Sequence, residues 1–212
     1  YLSASAAVLF AAASGLAGTL LFLRSPVLAH WRIENRTASS LIGPLPVRGF
    51  VPLLAVILAY SGAFRLLEIG VTAFAAEVGL PALAGLILGL MSVGSAVGGL
   101  AYGSRSWRLQ LTRQFALMLL LMGLGIAALS LIGNAIVFVV LGVVAGVVMA
   151  PALIIQSMLV AKIAPSHYAT EAFTWSTSCL LTGVGLGLAA GGLLLERASS
   201  AAVFGTAGAV SM

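Results

Sequence analysis

The chain has 212 residues, of which 61% are hydrophobic and only 7% charged, with a mean hydropathy of +1.18. A soluble domain carries roughly 25% charged residues. Ten basic and five acidic side chains cannot cover a globule of this size, so lipid must replace water as the main solvent. The net charge of +5 does not point to nucleic acid, because the basic residues are few and scattered between apolar runs.

A helix needs about 20 apolar residues to cross a bilayer. Leu2–Leu23 is the first predicted span. The sequence opens at Tyr1, with no Met and no basic segment ahead of this run, and is expected to be a fragment without a cleavable signal peptide. Phe50–Ala76 is the second span, interrupted by Arg65 and Glu68, and Leu80–Tyr102 is the third. From Gln114 to Ala161 no charge occurs, which is too long for one helix. The Gly133-Asn134 pair divides it into a fourth span, Phe115–Ile132, and a fifth, Ala135–Ala161. Ala172–Leu195 is the sixth, preceded by Pro165-Ser166 and by Thr170-Glu171, whose hydroxyl and carboxylate can serve first-turn N–H groups. Ala198–Met212 begins a seventh, too short at 15 residues to cross alone and therefore expected to be truncated.

Lys and Arg near span ends resist translocation. Eight basic residues fall in alternate loops: Arg24, Arg32, Arg36 and Arg48 in the first, Arg105, Arg108 and Arg113 in the second, Lys162 in the third. The intervening turns hold only Arg197. The basic loops are expected to be cytoplasmic and the amino end outside, with Trp31 and Trp107 as interfacial anchors. The loop Arg24–Gly49 is the longest and most polar, which makes it the domain boundary. Residues 1–23 then form the last helix of one bundle, 24–49 a central cytoplasmic loop, and 50–212 a second transmembrane bundle of six spans. Split into two triplets, those spans have glycine-rich middle helices, with Gly85, Gly89, Gly94, Gly98 and Gly99 in one and Gly183, Gly185, Gly187, Gly191 and Gly192 in the other. Inverted three-helix repeats would produce such a correspondence.

Gly183, Gly187 and Gly191 recur every four residues, as do Gly94 with Gly98 and Gly142 with Gly146, so each set lies on one helical face where two backbones can approach. Arg65 and Glu68, three apart inside the second span, share a face and can pair. Ions within a membrane usually face a cavity or pathway, and a structural ion pair is the competing reading. A carboxylate that hydration and a guanidinium can switch between charge states suits a coupling proton. Gln156, one turn beyond Pro151, either faces a substrate cavity or ties helices together, and Tyr60 is open to the same two readings. Ser176, Thr177 and Thr182 can return their hydroxyls to the backbone and mean little alone. Cys179 sits in an apolar run as a packing residue. His30 and His167 lie in different loops without acidic or cysteine neighbours, and nothing has the spacing of a metal site, a phosphate loop or a nucleophile with its base. No enzyme, cofactor or metal is implied.

One span, a long basic loop, and six spans with a short basic loop after the second of them resemble the major facilitator superfamily from its sixth helix onward. That family carries G-x-x-x-D-R-x-G-R-R in the loop after the second helix of each half. The matching stretch is Gly98-Gly99-Leu100-Ala101-Tyr102-Gly103-Ser104-Arg105-Ser106-Trp107-Arg108, which keeps glycines and basic residues but has no Asp. The charge contact made by that acid is therefore not implied here. The stretch from Pro165 to Trp175, followed by a glycine-rich helix, resembles bacterial transporters and efflux proteins of the family. The resemblance implies an all-α, multi-pass protein of the inner (plasma) membrane that moves a small organic solute by alternating access, coupled to protons and directed outward. It implies a pocket lined by the second, third, fifth and sixth spans; Tyr60, Arg65, Glu68 and Gln156, singled out above from their places in the spans, are the candidate residues of the substrate and proton pathway. Arg105 and Arg108 are placed in a cytoplasmic gate loop, and the facing wall is the N-terminal half of the same protein. Two other classes are weighed. A membrane enzyme acting on lipid-borne substrates would need acidic or histidine clusters at a membrane face, and a permease component driven by a separate ATPase would need that partner.

Overall fold

The computed structural model of the chain describes residues 4–24, 42–129, 135–197 and 206–207. Among them the regular structure is entirely helical. In chain order the helices are α1 (Ala4–Leu23), α2 (Phe50–Glu77), α3 (Pro81–Gly103), α4 (Leu111–Leu129), α5 (Ala135–Ile163), a 3₁₀ turn (Ser166–Tyr168) and α6 (Ala169–Arg197). The chain divides into two compact units, Tyr1–Ala38 and Ser39–Met212. In the first unit, α1 returns the hydroxyls of Ser14 and Thr19 to the carbonyls of Phe10 and Gly15, at 2.8 and 2.9 Å. Its apolar segment Val8–Leu23 is shorter than the five helices of the second unit that are long and apolar enough to cross a membrane.

Helix boundaries differ from expectation where polar groups find local partners. Helix α4 starts at Leu111, ahead of the expected Phe115, because Gln114 does not end it. Its N–H donates to the Gln110 carbonyl at 3.0 Å, and its buried amide is satisfied by the preceding loop. Helix α5 continues through Pro151 to Ile163. Helix α6 starts at Ala169 because the 3₁₀ turn, closed by Tyr168 N–H donating to the Pro165 carbonyl at 2.9 Å, feeds directly into it; Glu171 stands in its first turn as expected. Gly133-Asn134, His30, Trp31, Arg32 and Arg36 lie outside the described residues. So does most of the seventh span, of which Thr206 and Ala207 are helical and Ala207 is fully buried.

The link between α2 and α3 shows how little chain a turn needs. Gly79 takes φ of +75°, open to glycine at no steric cost, while its N–H donates to Ala76 O and that of Leu80 to Ala75 O, both at 3.0 Å. This paired closure satisfies the last carbonyls of α2, and Pro81 then opens α3 where no N–H is required.

Two seams hold the second unit together. Helix α2 packs chiefly on α6 and α3 chiefly on α5, while α4 lies against α5. Exchanging α2 with α5 and α3 with α6 maps one seam onto the other, so the first helix of each triplet pairs with the middle helix of the other. Both seams are built on glycine. A Cβ at Gly187 would sit 2.5 Å from the Gly62 carbonyl oxygen, Gly183 faces Leu58 and Ser61, and Gly191 faces Ile69. In the other seam, a Cβ at Gly94 would meet the Val143 carbonyl oxygen at 2.7 Å, Gly98 lies on Val147, and Gly146 on Met91. With no hydrophobic drive between helices in lipid, such contact supplies the attraction through dispersion and Cα–H···O approaches. Gly85, Gly89, Gly185 and Gly192 have nothing within 4 Å of their Cβ positions and belong to neither seam.

Candidate functional site

Helix α2 carries two polar clusters, and the sequence reading assigned both to one pathway. The first is Arg65 with Glu68. At 1.5 Å rise per residue, Glu68 lies about 27 Å from the Phe50 end of α2 and about 14 Å from the Glu77 end. The Arg65 Nη1 donates to Glu68 Oε2, closing the i,i+3 ion pair that the spacing predicted. The side chains keep 39% and 27% of their exposure, while Arg65 Nε is buried with no hydrogen-bond partner. An unsatisfied buried donor typically costs about 1–3 kcal/mol, so the guanidinium is held by one contact with a second donor left over.

Glu68 lines a cavity of about 260 Å³ at the junction of α2, α3 and α5. Phe64 joins it from α2, Leu88, Met91, Ser92 and Ser95 from α3, and Gly146 and Met149 from α5. The cavity lies near mid-length of all three helices. Gly146 gives α5 its close approach to Met91. Arg65 is not among the lining residues, so among the described residues the only charged group facing this space is the carboxylate.

The second cluster is Tyr60 with Gln156 and Ser176. The Tyr60 hydroxyl donates to Gln156 Oε1, and Gln156 Nε2 donates to Ser176 Oγ at 2.9 Å. All three are at most 5% exposed, and they tie α2, α5 and α6 together. The Tyr60 ring also meets Phe115 of α4 edge-on, with centroids 5.9 Å apart. Of the two readings left open for Gln156, this geometry is that of the interhelical tie. Tyr60 stands about 12 Å before Glu68 along the helix axis. Among the described residues, Gln156 lines neither the Glu68 cavity nor the groove between α2 and α4.

A larger groove of about 880 Å³ runs between α2 and α4, lined by Ala55, Ala59, Tyr60, Phe115 and Leu119 among others. Among the described residues it holds no charged group, its tyrosine hydroxyl already serves Gln156, and its only other polar side chain is Thr112. Size alone does not make it the site.

The loop after α3 is ordered by aromatic and amide contacts. Tyr102 donates its hydroxyl to Gln114 Oε1 at 2.6 Å, Gln114 Nε2 donates to the Leu109 carbonyl at 2.6 Å, and Trp107 Nε1 donates to the Tyr102 carbonyl at 3.1 Å. The Trp107 ring stacks on Tyr102 at 5.3 Å, and the Arg105 guanidinium lies 5.6 Å from the Trp107 centroid. Trp107, 42% exposed, thus fastens the loop, and Arg108 is exposed beside it. His167 is likewise exposed, in the 3₁₀ turn, with its ring 4.2 Å from Tyr168.

Sequence reading missed the serines and methionines of the cavity, the partner glycine Gly62, and the role of Ser176. A signal was present for some of them. Ser92 and Ser95, three apart in a glycine-rich helix, share one face. Ser176 needed knowledge of which helix faces Gln156, which no local pattern carries. Among the described residues no group of three His, Cys, Asp or Glu side chains is placed to hold a metal ion. No family profile, curated protein or solved structure matches this chain.

Proposed function

We propose that this chain is part of a secondary active transporter of the major facilitator type, moving a small organic solute outward by alternating access at the expense of a proton gradient. The observation that carries the reading is a carboxylate paired to a guanidinium well inside an apolar helix and facing a cavity among α2, α3 and α5. Charge at that depth costs about 2.5–3.5 kcal/mol per residue to insert, and a protein retains it where a hydrated path uses it. Support comes also from the seams, because packing that survives exchange of the two triplets is what inverted repeats give. The helices that border the cavity are three of the four that the family resemblance assigns to the pathway.

In the proposed cycle, Glu68 alternates between an ionised form held by Arg65 and a protonated form facing the cavity, and solute and proton displace one another there. Arg65 keeps its charge throughout and prevents the ionised acid from standing alone. The smooth glycine seams let α2–α6 and α3–α5 rock as rigid pairs. A homologous N-terminal bundle supplies the opposite wall, and the loop with Arg105 and Arg108 closes the cytoplasmic side of an inner, plasma-membrane protein. No observation favours the permease-component reading.

Alternating access is tested by replacing Cys179 with Ala and Ser95 with Cys in the full gene product. Impermeant thiol reagents are then applied separately to right-side-out and inside-out vesicles. Labelling from both faces, with opposite responses to an imposed pH gradient, is expected; labelling from one face only under every gradient would remove the proposal.

A further inference from the structure

We infer that the Glu68 cavity binds small primary ammonium compounds with an apolar, single-ring body, an assignment of substrate class that rests on the transport reading. Among the described residues the lining contains one carboxylate, two hydroxyls and two thioethers, and no lysine, arginine, histidine or amide side chain. Arg65 engages Oε2 of Glu68 and leaves Oε1 for a ligand. The Ser92 hydroxyl spends its proton on the Leu88 carbonyl at 2.9 Å, so toward the cavity it can only accept.

With the carboxylate and Ser92 able only to accept, and the Ser95 hydroxyl able to accept or donate, the cavity favours a ligand that donates. A primary ammonium has three N–H donors and a positive charge, and its hydrogen bond to a carboxylate is about twice as strong as a neutral one. An anion would meet Glu68 with like charge and find no cationic partner on the cavity wall. The rest of the lining, Phe64, Leu88, Met91 and Met149, is apolar and polarisable and suits an aromatic ring through sulfur and ring-edge contacts. At about 260 Å³ the space falls below the roughly 300–1,000 Å³ of pockets for drug-sized ligands, which limits the body to a single ring.

The test is calorimetric titration of the full gene product in detergent with four probes: 2-phenylethylammonium, benzyltrimethylammonium, 2-phenylethanol and 3-phenylpropionate. The primary ammonium is expected to bind tightest. The quaternary ion, equal in charge but without a donor, should bind about tenfold more weakly, as should 2-phenylethylammonium to Glu68→Gln. Ser95→Ala, at a half-buried hydroxyl with room around it, should weaken the primary ammonium about threefold and keeps the test decisive where Glu68→Gln fails to fold. Equal affinity for the ammonium and the alcohol, preference for the carboxylate, or binding indifferent to Ser95→Ala would overturn the inference. Proton flux is read separately. The stated preferences without flux would keep this site and remove the transport reading, whereas flux driven by the other probes without an ammonium preference would do the reverse.

Discussion

Replacing Gly187 by Ala adds one methyl group at a close backbone contact of the α2–α6 seam. Its Cβ would lie 2.5 Å from the Gly62 carbonyl oxygen and 3.0 Å from both Gly62 Cα and Arg65 Cβ. Ordinary C···O approach is about 3.3 Å, so the helices must separate by about 0.8 Å or shear along one another. The atoms met are backbone and a Cβ, none of which can rotate away. Overpacking of this kind costs about 1–3 kcal/mol. The control is Gly185→Ala, two residues away on the same helix, where nothing lies within 4 Å. There the change only raises helix propensity and should be neutral or stabilising by up to about 1 kcal/mol. Thermal unfolding of both variants in one detergent, followed by circular dichroism, should place Gly187→Ala below the parent and Gly185→Ala level with or above it. Equal melting of the two would mean that the face at Gly187 is not a helix contact, and the seam argument would fail with it.

Other consequences can be measured in the same preparations. Tyr60→Phe should cost about 0.6 kcal/mol and at most about 1.7 kcal/mol, the average and the upper limit for hydrogen bonds between membrane helices. A double-mutant cycle with Gln156→Leu should show coupling between the two sites, and additivity would mean the tie is not formed. Trp107→Ala removes the stack on Tyr102 and a hydrogen bond to its carbonyl, so limited proteolysis of the 104–110 segment should accelerate while the melting temperature barely moves. For topology, a cysteine at position 108 should be shielded from an impermeant thiol reagent in whole cells and one at 134 should be labelled, after replacement of Cys179. The opposite pattern would invert the orientation.

Much of the fold was legible because membrane spans leave a one-dimensional record. Five helices fall within a few residues of their predicted limits, since lipid demands long uncharged runs and turns need Gly79-type closures that stand out. The boundary errors share one cause. Gln114 and Tyr168 look like loop residues by polarity, yet a partner at Tyr102 and a 3₁₀ hydrogen bond to Pro165 let the helices extend over or up to them. The site was legible in part. The pairing of Arg65 with Glu68 was legible because two opposite charges three apart share one helix face. Gln156 was left between two roles, because only its distance to Ser176 and its contact with Tyr60 distinguish a tie from a cavity wall. The cavity's methionines were invisible for the same reason, and its serines showed only that they share a face: membership depends on which faces of α2, α3 and α5 converge.

The central claim is that Glu68 couples proton movement to a solute, and proton flux measures it most directly. The full gene product is reconstituted into liposomes with an entrapped pH-sensitive dye and an acidic interior, and candidate ammonium, carboxylate and neutral solutes are added outside, with protein-free liposomes as the baseline for passive permeation. At least one solute should drive proton efflux above that baseline in the parent protein, and Glu68→Gln, folded to the same melting temperature, should return the flux to it. Solute-driven flux of parental size and pH dependence in Glu68→Gln would reduce Arg65 and Glu68 to a structural bridge and contradict the account.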